Sequence, residues 1–248
     1  VCPVGAGPTH TPGPFGAAIR LPPHFQENTV TGTSSHDSRP PDQRTGKEET
    51  RPLDRVPWRR FIVLGDIGAG GLGRVRGRGA DKPWADRVAE TLRSTRPDLA
   101  YLNLGRHGHS AAQVRARQLA QALAFRSDLA AVVAGGHEAV ADSFDVDAVE
   151  AELHRIVGPL RDTGADVITV GLYGPRLLGA AADRAGGLQQ RLRLLAERTG
   201  ELALRHGAFH VDVLSDGGGR RTDADDHEVA AAVIRRLVTH LASGRVAA

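Results

Sequence analysis

Titratable side chains gather in four short blocks of this 248-residue chain. Leu64-Gly65-Asp66-Ile67 places a carboxylate behind an apolar run. Asn103-Leu104-Gly105-Arg106-His107-Gly108-His109-Ser110 holds two histidines at alternate positions, and Ala134-Gly135-Gly136-His137-Glu138 a histidine beside a carboxylate. Asp223-Ala224-Asp225-Asp226-His227 adds three carboxylates and a histidine. A carboxylate that fixes an imidazole's tautomer makes a general acid/base couple, and titratable groups crowded into one crevice push one another's pKa values apart. The couple expected here is Asp66 with His137, with His227 as a further candidate base. A structural reading competes with it: Asp66 caps the turn that follows through backbone N–H groups, and His137 only fills space. His107, His109 and His137 with a carboxylate also have the chemistry of a zinc or other divalent-metal set. His-x-His spacing points two rings the same way only on an extended segment, so no metal is assigned.

For these blocks to meet, each must close or follow a strand. Phe61 to Leu64 is a short apolar run ending in Gly-Asp and a glycine-rich loop, the pattern of a buried parallel strand opening into a site. Lys82 to Arg93 reads as an amphipathic helix with Trp84, Val88 and Leu92 facing inward. Leu99–Leu104 is the second strand, and Ala111–Phe125 the second helix, with Val114, Leu119 and Leu123 on its inner side. Leu129–Ala134 is the third strand. A helix over about 146–161 is capped by Asp145 or Asp147. Strand four starts at Asp166, and Tyr173 to Gly187 reads as a loop or short irregular helix. Leu188–His206 is helical, 208–213 is strand five, and the last helix spans His227 to about Leu241. Five β-then-α units with short connections imply a parallel sheet covered by helices on both faces.

Composition bounds the function classes. Apolar (40%) and charged (25%) residues are ordinary for a globular domain, while aromatics are scarce at 4%, so Ala, Leu and Val must build the core. The net charge is +3, but the arginines are scattered and no basic block carries interleaved aromatics, so no nucleic-acid partner is expected. The glycine-rich stretch 68–79 lacks the Gly-Lys-Ser/Thr of a phosphate loop and a prompt helix, and no cofactor is expected. One cysteine, Cys2, gives no disulfide framework. No apolar run suits a membrane span and no signal-peptide order is seen, so the expected location is the cytoplasm and the expected partner a small-molecule substrate. Residues 1–57, rich in Pro, Gly, Ser and charge, read as a disordered tail ahead of a domain over 58–248.

The four blocks, in this order from about Trp58 to Leu241, resemble those of the SGNH (GDSL-type) esterase and lipase superfamily in its small actinobacterial form. The resemblance implies a three-layer α/β/α sandwich on a five-stranded parallel, flavodoxin-like sheet. Gly65-Asp66 matches the start of the family's Gly-Asp-Ser, but Ile67 stands where the family has its serine nucleophile. Gly108 matches the glycine whose N–H serves the oxyanion hole. His137 and Glu138 replace the Asn-Asp of the usual Gly-Gly-Asn-Asp. His227 matches either the catalytic-type histidine or a later one that starts the final helix. Substrate contacts are expected from Ile67, Gly108, His107, His109, Glu138 and Tyr173. An isoleucine has no nucleophile, so the expected function is a diverged SGNH-fold enzyme working by acid/base chemistry on a small organic substrate, plausibly in secondary metabolism. The alternatives are a catalytically inactive protein that binds a ligand or partner, and residual ester hydrolysis through Ser110 or Ser215.

Overall fold

The structure, a computed structural model, describes residues 56–66, 69, 82–171, 185–213 and 226–246. Its strands are β1 (Arg60–Gly65), β2 (Ala100–Asn103), β3 (Leu129–Val133), β4 (Asp166–Gly171) and β5 (Phe209–Asp212). They form one five-stranded sheet in the order β2-β1-β3-β4-β5, and every pairing is parallel. The helices are α1 (Trp84–Thr95), α2 (Ala111–Phe125), α3 (Gly136–Ala139), α4 (Val146–Asp162), α5 (Ala185–Arg205) and α6 (Asp226–Val246). The strand order reverses at β1, so the ends of β1, β2 and β3 flank the switch point where ligands bind in open sheets.

The period-two alternation of side chains gives the sheet two apolar faces. On one, Phe61, Val63, Leu129, Ala131 and Val133 pack under Trp84, Val88 and Leu92 of α1 and Val229, Val233 and Leu237 of α6. On the other, Ile62, Leu64, Ala130 and Val132 pack under α2, Val149, Leu153 and Ile156 of α4, and Leu202 of α5. This is the three-layer sandwich expected from the sequence. Trp84, Val88 and Leu92 are fully buried, as their spacing predicts.

Some local readings differ. The short helix α3 was not expected, and α5 begins at Ala185, inside the stretch read as a loop or short irregular helix. The inner stripe of α2 is Ala111, Val114, Gln118 and Ala122, while Leu119 and Leu123 are only partly covered. Small residues let α2 approach the sheet closely, and Gln118 finds polar work there. Residues 1–55, nearly all of the expected tail, lie outside the described residues. The packed domain includes Val56, which is 3% exposed and whose carbonyl accepts from Arg96 Nε at 3.1 Å. Among the described residues no helix is long and apolar enough to cross a membrane.

Away from the strand ends, His154 on α4 and His206 just after α5 face each other, Nδ1 to Nε2 at 2.8 Å. Burial, and then the neighbouring His154, hold the His206 pKa below its ordinary value. A histidine depressed in the fold binds its proton more readily when unfolded, so its stabilising effect is full above the unfolded pKa near 6.5 and fades as pH falls toward the folded value. Urea midpoints are expected to drop between about pH 7 and pH 5, and His206→Gln should flatten that limb. An unchanged slope in the variant would remove the pair from the account.

Candidate functional site

The site begins at a close approach. Gly65 pairs with Val133 at the ends of β1 and β3, and the next amide, of Asp66, donates to Val133 O at 2.9 Å. β2 is extended beyond its last ladder pair, with Leu104 N donating to Val63 O (2.8 Å) and Arg106 N to Gly65 O (3.0 Å). Asn103 ties the turn after β1 to β2, its Nδ2 donating to Ala69 O (2.8 Å) while its Oδ1 accepts from Gly105 N (2.9 Å). The carboxyl ends of the three strands are thus locked together by backbone and amide bonds.

Asp66 is fully buried, and its Oδ2 accepts from Gly136 N at 3.1 Å. That amide opens α3, reached through Gly135 in the left-handed region at φ +106. Asp66 therefore caps a turn reached 70 residues along the chain; residues 67 and 68, which open the turn that follows it, lie outside the described residues. His137, the next residue, is exposed and makes no side-chain hydrogen bond or ion pair among the described residues, so the Asp66–His137 couple is not formed in this structure. Glu138 turns toward α2: its Oε1 accepts from Ala111 N at 2.6 Å, where the helix dipole favours a carboxylate. Ser110 completes that helix start with a capping box shared with Gln113. Its hydroxyl accepts from Gln113 N at 3.2 Å, the position of a helix cap rather than of a nucleophile.

Gln118 is the buried polar residue at the strand ends that the sequence reading missed. It is 3% exposed, and its Oε1 accepts from Gly65 N at 2.8 Å while its Nε2 donates to Gly65 O at 3.0 Å. The same Nε2 meets His109 Nδ1 at 3.2 Å. The signal was available: Gln118 falls in one helical stripe with Ala111, Val114 and Ala122, a polar residue on an otherwise small, apolar face.

The remaining expected site residues are placed as follows. His107 and Gly108 are exposed on the turn after β2, with Gly108 at φ +79 and open space where a Cβ would stand. His227 is exposed in the first turn of α6. Its neighbour Asp226 is buried and accepts from Trp84 N at 2.9 Å, a structural link to α1. Ile67, Tyr173, Asp223, Asp225 and Ser215 lie outside the described residues. No group of three or more histidine, cysteine or carboxylate side chains able to hold a metal is found among the described residues, His107, His109 and His137 included.

A five-stranded parallel sheet in this order, covered by helices on both faces, with a buried aspartate at the end of β1 and a Gly-Gly turn facing it, is the architecture of the SGNH hydrolases. The chain belongs to the GDSL-like lipase/acylhydrolase family, whose model matches residues 64–241. No curated protein matches the sequence. Among solved structures the fold is similar to a lipase/acylhydrolase from Enterococcus faecalis, with TM-score 0.57 and 16% identity over 73% of this chain and 96% of that one. It is also similar to LAE5, an α/β hydrolase from the metagenome of Lake Arreo, with TM-score 0.55 and 16% identity over 74% and 94%. A catalytic mutant of Axe2, an acetylxylan esterase from Geobacillus stearothermophilus, gives TM-score 0.55 and 12% identity over the same shares, 74% and 94%. At such identities the likeness is one of fold.

Proposed function

We propose that this domain is a ligand-binding member of the GDSL-like family in which serine ester hydrolysis has been lost, and that its ligand is a small organic molecule held at the ends of β1, β2 and β3. The observation that carries this reading is the residue after Gly65-Asp66: Ile67 offers hydrocarbon where the family's Gly-Asp-Ser offers a hydroxyl. The geometry around it supports the same reading. The Asp66 carboxyl group is engaged in holding α3, and His137 has no partner among the described residues to orient its ring. An acyl-transfer site needs a nucleophile within reach of an oriented base, and Ile67 cannot be that nucleophile.

Hydrolysis of p-nitrophenyl acetate and butyrate tests the proposal, with the Asp66→Asn protein as control. Rates equal to buffer are expected for both proteins. Turnover well above buffer that disappears in the control would overturn the loss of hydrolysis and point to an activated water in the crevice. A second reading keeps the crevice catalytic without a serine, through proton transfer, cyclisation or dehydration. The hydrogen bonds that fix Asp66 to Gly136, Glu138 to Ala111 and His109 to Gln118 favour it, because positioned titratable groups are what such chemistry requires. A molecule that co-purifies with the protein separates the two: released unchanged, it supports the binding reading; converted, the enzymatic one.

A further inference from the structure

His109 is held differently from the other histidines at the strand ends. Its ring partner, Gln118, has an amide whose orientation is chemically fixed. Gly65 N–H needs an acceptor and receives Oε1 at 2.8 Å; Gly65 C=O needs a donor and receives Nε2 at 3.0 Å. Turning the amide over would set N–H against N–H and oxygen against oxygen on a buried strand end. Nε2 of Gln118 is therefore a donor at its other contact as well, 3.2 Å from His109 Nδ1. That ring nitrogen must accept, so the imidazole proton sits on Nε2, on the far side of the ring from Gln118. Protonating the ring would place Nδ1–H against the Gln118 amide hydrogen. Burial, then Arg117 and Arg106, act in the same direction and hold the His109 pKa below its ordinary value.

The two arginines complete the arrangement. Arg106 lies in the turn after β2 and Arg117 on α2, and both are exposed. Neither has a carboxylate partner among the described residues. Of the carboxylates at the strand ends, Glu138 is engaged at the α2 N-terminus through Ala111 N–H, and Asp66 accepts from Gly136 N–H. The corner thus combines a neutral Nε2–H with the positive charge of Arg106 and Arg117, whose field reaches the His109 ring, and planar guanidinium forks match oxygen anions.

We infer that His109, Arg106 and Arg117 form a subsite for an oxyanion group of the ligand, a carboxylate or a phosphate, with His109 as a neutral donor through Nε2–H and Gln118 as the residue that positions it. This inference rests on the reading that the strand ends hold a ligand, but it is tested by binding and tautomer alone, whatever the ester assay gives.

The test is long-range ¹H–¹⁵N NMR of the histidine rings in the full chain, with His109→Gln to assign the signals. His109 is expected to be neutral at pH 7 with its proton on Nε2, and Gln118→Leu to lose that single tautomer. Titration with acetate and with inorganic phosphate is expected to shift the His109 signals saturably. Saturation by acetate assigns a carboxylate, and saturation by phosphate alone assigns a phosphate group. The Arg106→Gln/Arg117→Gln double variant is expected to weaken the response by about tenfold or more, while Arg193→Gln on α5 leaves it unchanged. A ring protonated at Nδ1, no saturable shift with either anion, or an equal response in the double variant would each overturn the inference. Ester turnover in the earlier assay would overturn only the proposed loss of hydrolysis.

Discussion

Gly65→Ala is expected to remove a large share of the stability of the domain. A Cβ at this position would stand 2.0 Å from Val133 O, 2.8 Å from its carbonyl carbon and 3.0 Å from the Ala69 Cβ, on a backbone at φ +151. The first two atoms are backbone of the neighbouring strand and cannot rotate away. Relief would require β1 and β3 to part where Asp66 N and Val133 O are bonded and where Gln118 clasps Gly65 from below. Overpacking of a core costs about 1–3 kcal/mol and occasionally more, and an unfavourable backbone conformation about 1–3 kcal/mol besides. Against a total of about 5–15 kcal/mol for a domain, the sum is large. Urea unfolding measures it, with Gly135→Ala as the comparison. At Gly135 the added atom meets side chains of Leu195 and Val149, both at 2.9 Å, which can shift. The alanine at 65 should be the more damaging of the two; the reverse order would mean that the strand ends are less tightly joined than described.

Asp66→Ala and Asp66→Asn are expected to separate. The alanine leaves Gly136 N–H buried without the acceptor it has at 3.1 Å, a loss of about 1–3 kcal/mol. The asparagine keeps a carbonyl oxygen in the same place and should retain most of the stability. A scaffold role predicts this ranking in thermal or urea unfolding. If both variants unfolded like the parent, the aspartate would have no scaffold role, and its conservative replacement would then be read for chemistry alone.

The fold was legible because its signals are local. Apolar runs such as Phe61–Leu64 and 129–133, each followed by glycines and then an amphipathic stretch, specify buried strands and covering helices without reference to the rest of the chain. The helix at 111–125 and the Asp145 cap are of this kind; Asp145 accepts from Asp147 N and Ala148 N as its position predicts. The site was legible in its residues but less so in their roles. Asp66 was identified, yet its partner Gly136 is known only once β3 lies beside β1. Glu138 was placed at the strand ends, yet its partner is the first amide of α2. Gln118 was passed over because a glutamine on a helix is ordinarily a solvent-facing residue, and Leu119 and Leu123 offered a more familiar apolar face. Its use depends on a backbone group 53 residues away, for which no local pattern exists. The short helix α3 escaped for a related reason: four residues carry no periodicity.

One link bears on the order in which the chain can finish folding. Pro83, the residue before α1, makes no side-chain cap. The amide of Trp84 is served instead by Asp226, 142 residues later. A nascent chain leaving the ribosome therefore exposes α1 with the Trp84 amide lacking its Asp226 acceptor until the last helix has been made. The face of the sheet covered by α2, α4 and α5 has all its helices by Arg205 and can close while synthesis continues. The opposite face, where Phe61 and Val63 lie, stays open between α1 and the missing α6. During that interval it is the surface a chaperone would meet, and a chain interrupted before Asp226 would carry it permanently.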